Sequence, residues 1–383
     1  MTYERPIRFG MVGGGNDAFI GGVHRIAARI DGRFQLVAGA LSSTPEKAQA
    51  SGAALGLDPT RIYDDFKAMA IREARLKDGI EAVAIVTPNH VHYAVAREFL
   101  KRGIHVICDK PLAATQSEAE AIAGAVAASG RLFILTHNYT GYPLMRHARQ
   151  MIAQCDLGKI RVVQVEYAQD WLTEATAPDN KQADWRTDPV RAGGGAIGDI
   201  GTHAHNLARY ITGLEIDELA AELTAFIPGR ELDDDGNCLV RFEGGVKGII
   251  YASQISNGDE NNLNIRIYGT KASIEWRQED PNELIVKYAN APRKTYRRGN
   301  DYLGEAAKGN SRTPFAHPEG FIEAFANVYL AAAAAIIDKI DGNEAPEAGY
   351  DFPTVDDGVA GMAFIKACVE SSQNNAAWTK LDT

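Results

Sequence analysis

The sequence predicts an α/β fold in which a doubly wound parallel sheet is followed by an α+β domain with a large, mostly antiparallel open sheet. In the first part of the chain, short apolar runs without polar alternation are separated by helical patterns. Strands that are buried on both faces show such runs, and their alternation with helices indicates a parallel sheet. Beyond residue 138, strand-like runs follow one another and many alternate in polarity, which is typical of antiparallel pairing.

The parallel sheet is predicted from five apolar runs and from the helical patterns between them. The runs are Ile7–Val12, Phe34–Ala40, Ala82–Thr87, His105–Cys108 and Leu132–Thr136. Helical patterns cover Pro45–Leu55, His92–Arg102 and Gln116–Ser129. The last of these follows Thr115 and has Glu118 three residues later, which is the spacing of a capping box.

The second domain is predicted from one helical segment ending near Gln154 and six later strand-like runs. These runs are Arg161–Trp171, Leu219–Phe226, Cys238–Phe242, Val246–Ser256, Asn262–Tyr268 and Ala272–Trp276. Helical patterns at Gly320–Ile340 and Val355–Ser372 follow them. We therefore expect domains at 1–137 and 138–350, and a C-terminal helical segment at 351–383 for which the sequence leaves a return to the first domain open.

Composition excludes several classes of function. The 383 residues have a net charge of -10 and no basic cluster with interleaved aromatics, so we expect no nucleic-acid partner. The four cysteines are far apart and lack the spacing of a zinc site, which predicts reduced thiols and no metal. The N-terminus lacks the apolar core of a signal peptide, and the apolar run Tyr329 to Ile336 is too short to span a bilayer. We expect a cytoplasmic protein with no membrane partner.

A glycine-rich turn lies directly after the first predicted strand and before a helical pattern. Its Gly13-x-Gly15-x-x-Ala18 spacing permits a tight turn that brings the backbone close to a pyrophosphate at a helix N-terminus. A turn of the same composition without a ligand also occurs in α/β proteins, so the motif alone leaves both interpretations open. The predicted cofactor contacts of this turn are Gly13, Gly15, Asn16, Ala18, Phe19 and Ile20.

The segment after the second predicted strand bears on the choice between NAD and NADP. An acidic residue at this position holds the ribose 2′-hydroxyl in many NAD-binding proteins, whereas this chain has Ser42 and Ser43. Both serines can bond a hydroxyl or a phosphate, and Lys47 can pair with a 2′-phosphate. The same serines can instead form a helix cap before Pro45. We expect NAD and leave NADP open.

Asp199 and His203 stand four residues apart directly after a glycine run that begins at Gly193. If a helix begins there, both side chains share one face, and a carboxylate beside an imidazole forms a proton-transfer pair. The alternatives are a helix cap for Asp199 and a packed histidine for His203. His205 lies two residues from His203 and therefore faces another side of the helix, so the three residues do not predict a metal site.

The order of these motifs resembles the glucose–fructose oxidoreductase/inositol dehydrogenase (Gfo/Idh/MocA) family over nearly the whole chain. The resemblance rests on Gly13-Gly-Gly15, Thr87-Pro-Asn-His-Val-His92, Asp109-Lys-Pro111, Trp185-Arg186 and Gly195-x-x-x-Asp199-x-x-x-His203. It implies an N-terminal Rossmann domain and an NAD(P)-dependent oxidoreductase. The family's third motif is usually Glu-Lys-Pro, so Asp109 is a conservative departure that leaves the lysine in place. Asn206 replaces an aspartate of the family, so the substrate is not carried over from inositol dehydrogenase.

The resemblance also implies roles for individual residues. It assigns catalysis to Lys110, Asp199 and His203. It adds Thr87, Pro88, Asn89, His92, Asp109 and Lys110 to the cofactor contacts. Position and resemblance together give the substrate contacts Lys110, Asn138, Tyr139, Trp171, Trp185, Arg186, Asp199, His203, Asn206 and His317.

These residues predict the reversible oxidation of a secondary alcohol on a sugar, sugar derivative or inositol. His203 takes the hydroxyl proton, because an unperturbed histidine has a pKa of about 6.5. Asp199 orients the imidazole ring of His203. Lys110 either stabilises the reacting oxygen or relays the proton. The alternatives are a glycoside-cleaving enzyme with tightly bound NAD and a non-catalytic dinucleotide-binding redox sensor. The broad face of the open sheet predicts a homodimer or homotetramer.

Overall fold

The computed structural model describes residues 5–16, 18–174, 186–347 and 349–382. The chain divides into two compact units. The first unit contains the residues up to Asn138 together with Phe325–Val359. The second contains Tyr139–Ala324 and the residues from Ala360 onward. Each unit has its own sheet and its own core.

Five parallel strands form the sheet of the first unit, in the order β2-β1-β3-β4-β5. The order changes direction between β1 and β3, and open parallel sheets bind ligands at this switch point, outside the carboxyl ends of the strands. The doubly wound fold and all five of its predicted strands are confirmed. The strands are β1 Ile7–Gly13, β2 Phe34–Ala40, β3 Ala82–Val86, β4 His105–Cys108 and β5 Phe133–Leu135.

Nine strands form the sheet of the second unit, in the order β13-β12-β11-β10-β6-β9-β8-β7-β14. Only β6 and β9 pair in parallel among the strands of this sheet that the structure describes. The mostly antiparallel sheet is thereby confirmed, with β12, β13 and β14 in addition to the predicted strands. The strands are β6 Ile160–Ala168, β7 Ile216–Thr224, β8 Asp235–Phe242, β9 Lys247–Ser253, β10 Asn262–Gly269, β11 Ala272–Arg277, β12 Glu283–Tyr288, β13 Lys294–Arg297 and β14 Thr379–Lys380.

Two helices, α3 and α5, begin at a side chain that accepts amides of the first turn, and α2 and α6 carry a proline in that turn. Thr115 Oγ1 accepts the amide of Glu118 at 3.2 Å, and Gly130 ends that helix with a φ of +61°. The helices are α1 Phe19–Ile30, α2 Pro45–Ala54, α3 Phe66–Glu73, α4 Asn89–Leu100, α5 Gln116–Ser129, α6 Pro143–Ala153, α7 Pro189–Ala192, α8 Thr202–Thr212, α9 Glu305–Lys308, α10 Phe321–Asp341 and α11 Val355–Gln373. A π-helical turn, Ile197–Gly201, runs directly into α8.

Most of α10 belongs to the core of the first unit. The ring of Tyr329 lies 5.3 Å from the ring of Phe34, and its hydroxyl hydrogen-bonds His24 Nδ1 at 2.7 Å. By length and mean hydropathy (1.5) α10 resembles a membrane-spanning helix, but 56% of its most apolar window is buried inside the protein. Its packing is therefore that of a core helix.

The end of the chain, from Ala360 onward, belongs to the second unit. The Ser371 hydroxyl on α11 accepts the amide of Ala221 on β7 at 2.9 Å. Cys368 Sγ on α11 lies 3.5 Å from Cys238 Sγ on β8. The sequence left open a return of residues 351–383 to the first domain. Residues up to Val359 belong to the first unit, and α11 belongs to the second unit from Ala360 onward.

Candidate active site

The glycine-rich turn lies at the carboxyl end of β1, where the chain passes into α1. Gly13 and Gly14 have φ angles of +79° and +69°, a region that favours glycine. The amide of Gly15 donates to Leu41 O at 3.2 Å, and a Cβ on Gly15 would lie 2.8 Å from that oxygen. Ala18 precedes α1 and has no side chain that can cap it. The turn therefore presents backbone and a helix N-terminus to a pyrophosphate.

Gly21 is part of this turn, although the sequence analysis did not single it out. A Cβ on Gly21 would lie 2.5 Å from Gly14 O and closer still to Gly14 Cα. Close packing of the helix on the turn is the usual role of the third glycine in dinucleotide-binding motifs. Of the other predicted contacts, Asn16 and Phe19 are exposed, Ile20 is half-buried, and the Asn16 amide donates to Ser51 Oγ at 3.2 Å.

The segment after β2 contains polar residues but no acid before Glu46. Ser42 Oγ accepts the amide of Thr44 at 3.1 Å, so this serine helps to form the turn before α2. Ser43 and Lys47 are exposed. Ser42 therefore stabilises the turn before α2 but does not cap the helix, whose N-cap residue Thr44 forms no side-chain cap hydrogen bond, and Ser43 and Lys47 are accessible to a ligand.

Thr87, Pro88 and Asn89 follow β3, the strand that pairs with β1. The register places Gly13 opposite Val86, so the glycine turn and the Thr87 turn are neighbours. Thr87 Oγ1 is buried and has no hydrogen-bond partner within the part of the chain that the structure describes. A buried hydroxyl without a partner requires an explanation such as a bound ligand or water. The two turns and the Thr87 hydroxyl could hold a dinucleotide at this edge of the sheet.

His92 is fully buried on α4 and contacts two backbone segments. Its Nδ1 lies 3.0 Å from Pro111 O, and its Nε2 lies 2.9 Å from Thr87 O. Burial lowers the pKa of His92, against the charge of Asp109. Whichever nitrogen holds the proton donates to a backbone carbonyl. His92 thus holds the Thr87 turn beside the Pro111 turn, and the structure gives it a positioning role at the cofactor end.

Lys110 follows β4 and is half-buried. Asp109 Oδ1 accepts the amide of Lys110 at 3.1 Å and the hydroxyl of Thr136 at 3.0 Å. Burial alone raises the pKa of Asp109, but His24, 3.9 Å away, and the charge of Lys110 outweigh it and lower the pKa. An ionised Asp109 therefore fixes the loop from which Lys110 extends. Asn138, three residues after the end of β5, buries an amide nitrogen with no partner among the described residues.

Asp199 and His203 lie in the second unit, on the π-helical turn and the first turn of α8. Asp199 Oδ2 accepts a hydrogen bond from Gln254 Nε2 at 2.9 Å and forms an ion pair with Arg186 Nε at 3.3 Å. π-Helical turns inside α-helices are often found at functional sites. His203 is buried, and its ring lies 4.8 Å from the ring of Tyr139. The structure thus brings together four residues of the predicted site and adds Gln254, which the sequence did not indicate.

A chain of hydrogen bonds extends from the tyrosine that contacts His203. The hydroxyls of Tyr139 and Tyr167 lie 2.5 Å apart, and Tyr167 donates to Asn261 Oδ1 at 2.7 Å. Gln169 donates to the same oxygen at 2.7 Å and accepts a bond from Trp171 Nε1 at 3.1 Å. Burial raises the pKa of both tyrosines, so their hydroxyls stay protonated as donors. Sequence analysis identified Tyr139 and Trp171 but missed the three residues that connect them.

The remaining predicted residues differ in placement. Asn206 is buried one turn after His203, and its Oδ1 has no partner in the described ranges. His205 stacks on Phe364 at 4.8 Å, on the other side of α8, as its spacing predicts. His317 is exposed, with Nδ1 3.2 Å from Phe315 O. Trp185 lies outside the described residues. No group of three or more potential metal ligands occurs among residues 5–16, 18–174, 186–347 and 349–382.

Two family models match the chain, one for each unit. Residues 7–137 match an oxidoreductase family with an NAD-binding Rossmann fold, and residues 145–275 match the GFO/IDH/MocA C-terminal domain. These spans include the glycine turn, Lys110, Asp199 and His203.

Whole-chain comparisons agree with the family models. A solved oxidoreductase from Sinorhizobium meliloti is 54% identical with a TM-score of 0.91, covering 98% of this chain and 100% of that one. An inositol dehydrogenase homolog from Azotobacter vinelandii, complexed with NADH and myo-inositol, is 36% identical with a TM-score of 0.93, covering 98% of each. The levoglucosan dehydrogenase of Pseudarthrobacter phenanthrenivorans is 30% identical over 76% of this chain and 79% of its own length.

Proposed function

The chain belongs to the Gfo/Idh/MocA family of NAD-binding oxidoreductases, and on this premise we propose that it oxidises a secondary alcohol of a sugar, sugar derivative or inositol. Bound NAD accepts the hydride that leaves the alcohol carbon. The residues of the chain bind the polyol, take up the hydroxyl proton and stabilise charge on the reacting oxygen.

The observation on which the proposal rests is the placement of Asp199 and His203 at the start of one helical segment. Gln254 and Arg186 both contact Oδ2 of Asp199, so two donors restrict how this carboxylate can turn. His203 lies against the tyrosine rings and is shielded from water, where electrostatic interactions are stronger. In our proposal His203 takes the hydroxyl proton, and Asp199 stabilises the imidazolium that results.

Lys110 has a different task in the proposal. As the alcohol is oxidised, negative charge develops on its oxygen before the carbonyl forms, and an ammonium group placed there lowers the barrier. The bonds of Asp109 to the Lys110 amide and to Thr136 fix the backbone from which the lysine extends. Such fixed placement is what an electrostatic role requires, so we assign Lys110 to stabilisation of the oxygen.

Polar groups without protein partners support a substrate with several hydroxyls. Asn206 Oδ1 and Asn138 Nδ2 are buried, and neither has a partner among the described residues. An amide oxygen accepts and an amide nitrogen donates, so each of these groups suits a hydroxyl, which does both. One similar structure holds myo-inositol, and another similar protein is a levoglucosan dehydrogenase. We therefore assign the substrate to the cyclic polyols and sugars.

The proposal is tested by the absorbance of reduced nicotinamide, with a panel of inositols, aldoses and glycosides and with NAD and NADP in parallel. We expect NADH to form with at least one polyol. Lys110→Ala and His203→Ala should each reduce kcat about 100- to 10,000-fold while NAD still binds. Lys101→Ala removes an exposed lysine elsewhere and should leave kcat unchanged. Near-normal turnover in both site variants, or glycoside cleavage without net NADH, would contradict the proposal.

A further inference from the structure

Three successive backbone amides at the start of the helical segment that carries Asp199 all donate to one residue, Asp233. Gly195 donates to Oδ1 at 3.1 Å, Ile197 donates to Oδ2 at 2.8 Å, and Ala196 donates to the main-chain oxygen at 2.9 Å. The first amides of a helix lack partners within the helix. Ala196 cannot cap them with its own side chain, so Asp233 does so from the loop before β8.

Asp233 packs so closely against Gly195 that this position has no space for a side chain. A Cβ on Gly195 would lie 2.6 Å from Asp233 Oδ1 and would also collide with its main-chain oxygen. The glycine run before Asp199 is thus explained at Gly195 by close approach of the Asp233 loop rather than by a ligand. Because Asp199 follows Ile197 by two residues, the direction of the Asp199 side chain depends on this contact.

The neighbouring residue, Asp234, reaches Asp199 by a second route. Its carboxylate accepts the amides of Phe226 and Ile227 at 2.9 and 3.0 Å, which fixes the loop. Its main-chain oxygen accepts the amide of Gln254 at 2.9 Å. The side chain of Gln254 then donates to Asp199 Oδ2 at 2.9 Å. Two adjacent residues therefore control both the backbone before Asp199 and the position of its carboxylate.

We propose that Asp233 is a positioning residue for the Asp199–His203 pair, which sets the start of the helical segment and thereby the direction of the Asp199 carboxylate. The proposal depends on the proposed function, because it assigns Asp233 to the same reaction. Asp233 itself touches neither substrate nor cofactor in this account.

The raised pKa of Asp233 indicates that its carboxylate positions the helical segment and does not stabilise the fold. Burial raises its pKa to about 6, although the amides of Ile197 and Gly195 lower it, and the nearby charge of Asp234 raises it further. A carboxyl whose pKa is higher in the folded protein than in the unfolded chain destabilises the fold once it is ionised. At pH 7.5 Asp233 is therefore ionised at a cost in stability, yet in that form both of its oxygens accept backbone amides.

Asp233→Asn tests the proposal, because it keeps the shape of the side chain but replaces one accepting oxygen with a donor. We expect kcat at pH 7.5 to fall at least 10-fold while the KM for NAD changes less than two-fold. Asp65→Asn is the matched control: Asp65 accepts the amides of Lys67 and Ala68 at the start of α3, which carries none of the proposed site residues. This control should lose some thermal stability and keep its kcat.

Hydrogen exchange measured by mass spectrometry on a peptide covering residues 194–204 provides a readout that does not require turnover. We expect exchange in this peptide to become at least 10-fold faster in Asp233→Asn and to stay unchanged in Asp65→Asn. If the wild-type protein oxidises no polyol, the proposed function fails, and the exchange rates alone decide whether Asp233 holds the segment. Unchanged exchange, or a wild-type kcat in folded Asp233→Asn protein, would overturn the proposal.

Discussion

A methyl group at Gly21 should weaken NAD binding, whereas a methyl group at the next residue should not. A Cβ on Gly21 would lie 2.5 Å from Gly14 O, but ordinary van der Waals contact begins near 3.4 Å. The start of α1 must therefore move away from the glycine turn by roughly 1 Å, and overpacking of this kind costs about 1–3 kcal/mol. A Cβ on Gly22 meets only the end of the Arg25 side chain, at 3.9 Å.

The changes in stability and in NAD affinity can be estimated from typical free energies. Both variants gain about 1 kcal/mol of helix propensity, so Gly22→Ala should be slightly stabilised and Gly21→Ala should be neutral or destabilised. A hydrogen bond from the turn to a charged pyrophosphate contributes about 1.5–3 kcal/mol. The loss of one such bond in Gly21→Ala raises the Kd for NAD roughly 10- to 100-fold.

Isothermal titration calorimetry of NAD with the wild type and both variants measures this difference. Thermal denaturation of the same samples reports the change in stability. The two substitutions alter adjacent positions of one helix and add the same atoms, so each controls for the other. If Gly21→Ala binds NAD as tightly as Gly22→Ala does, the cofactor does not depend on the contact between α1 and the Gly14 turn, and the reasoning is wrong.

Two further predictions concern the second unit. Asp199→Asn should lower kcat about 10- to 100-fold, because it removes the ion pair with Arg186 and the charge that stabilises the imidazolium of His203, and steady-state kinetics should show an unchanged KM for NAD. Burial, aided by the charge of Arg209, lowers the pKa of His205 to about 3 from the usual 6.5. His205 therefore stays neutral when folded, and its contribution to stability is complete above pH 6.5 and is lost as the pH falls from 6.5 toward 3. Between pH 7.5 and pH 5 this loss is about 2 kcal/mol. Urea denaturation at these two pH values should therefore show a smaller acid destabilisation for His205→Phe than for the wild type. Equal acid destabilisation of the two proteins would show that His205 is not the group responsible.

The parallel sheet was predictable because its strands are buried on both faces. The run Ala82–Thr87 is apolar throughout, and all of β3 is buried in the structure. The strands β13 and β14 could not be identified in the same way. β13 is mostly exposed and β14 has only two residues, so neither has an apolar pattern long enough to indicate a strand.

Motif spacing located the principal site residues, but it could not identify the residues that hold them. Gln254 and Asp233 are of common residue types and lie far from Asp199 in the sequence, so only the pairing of β7, β8 and β9 brings them to it. The sequence also contains no pattern that predicts the π-helical turn before α8. For His92 the motif gave the position but not the role. The motif placed it at the cofactor end, and the structure shows that its nitrogens contact backbone carbonyls.

The domain boundaries show a third limit of sequence patterns. A helical pattern does not show which sheet the helix packs against, because apolar side chains suit either core. Tyr329 of α10 contacts Phe34 in the first unit, whereas Cys368 of α11 lies beside Cys238 in the second. The homo-oligomer and the cytoplasmic location remain predictions from the sequence.

The most direct test of the central claim is to follow the hydrogen that leaves the substrate. The wild-type protein is incubated with NAD and a polyol that carries deuterium on every carbon, and the reduced nicotinamide is examined by mass spectrometry. Our account predicts reduced cofactor that contains one deuterium from the substrate, and loss of this product in His203→Ala. Reduced cofactor without deuterium, or none with any polyol of the panel, would contradict hydride transfer from a secondary alcohol.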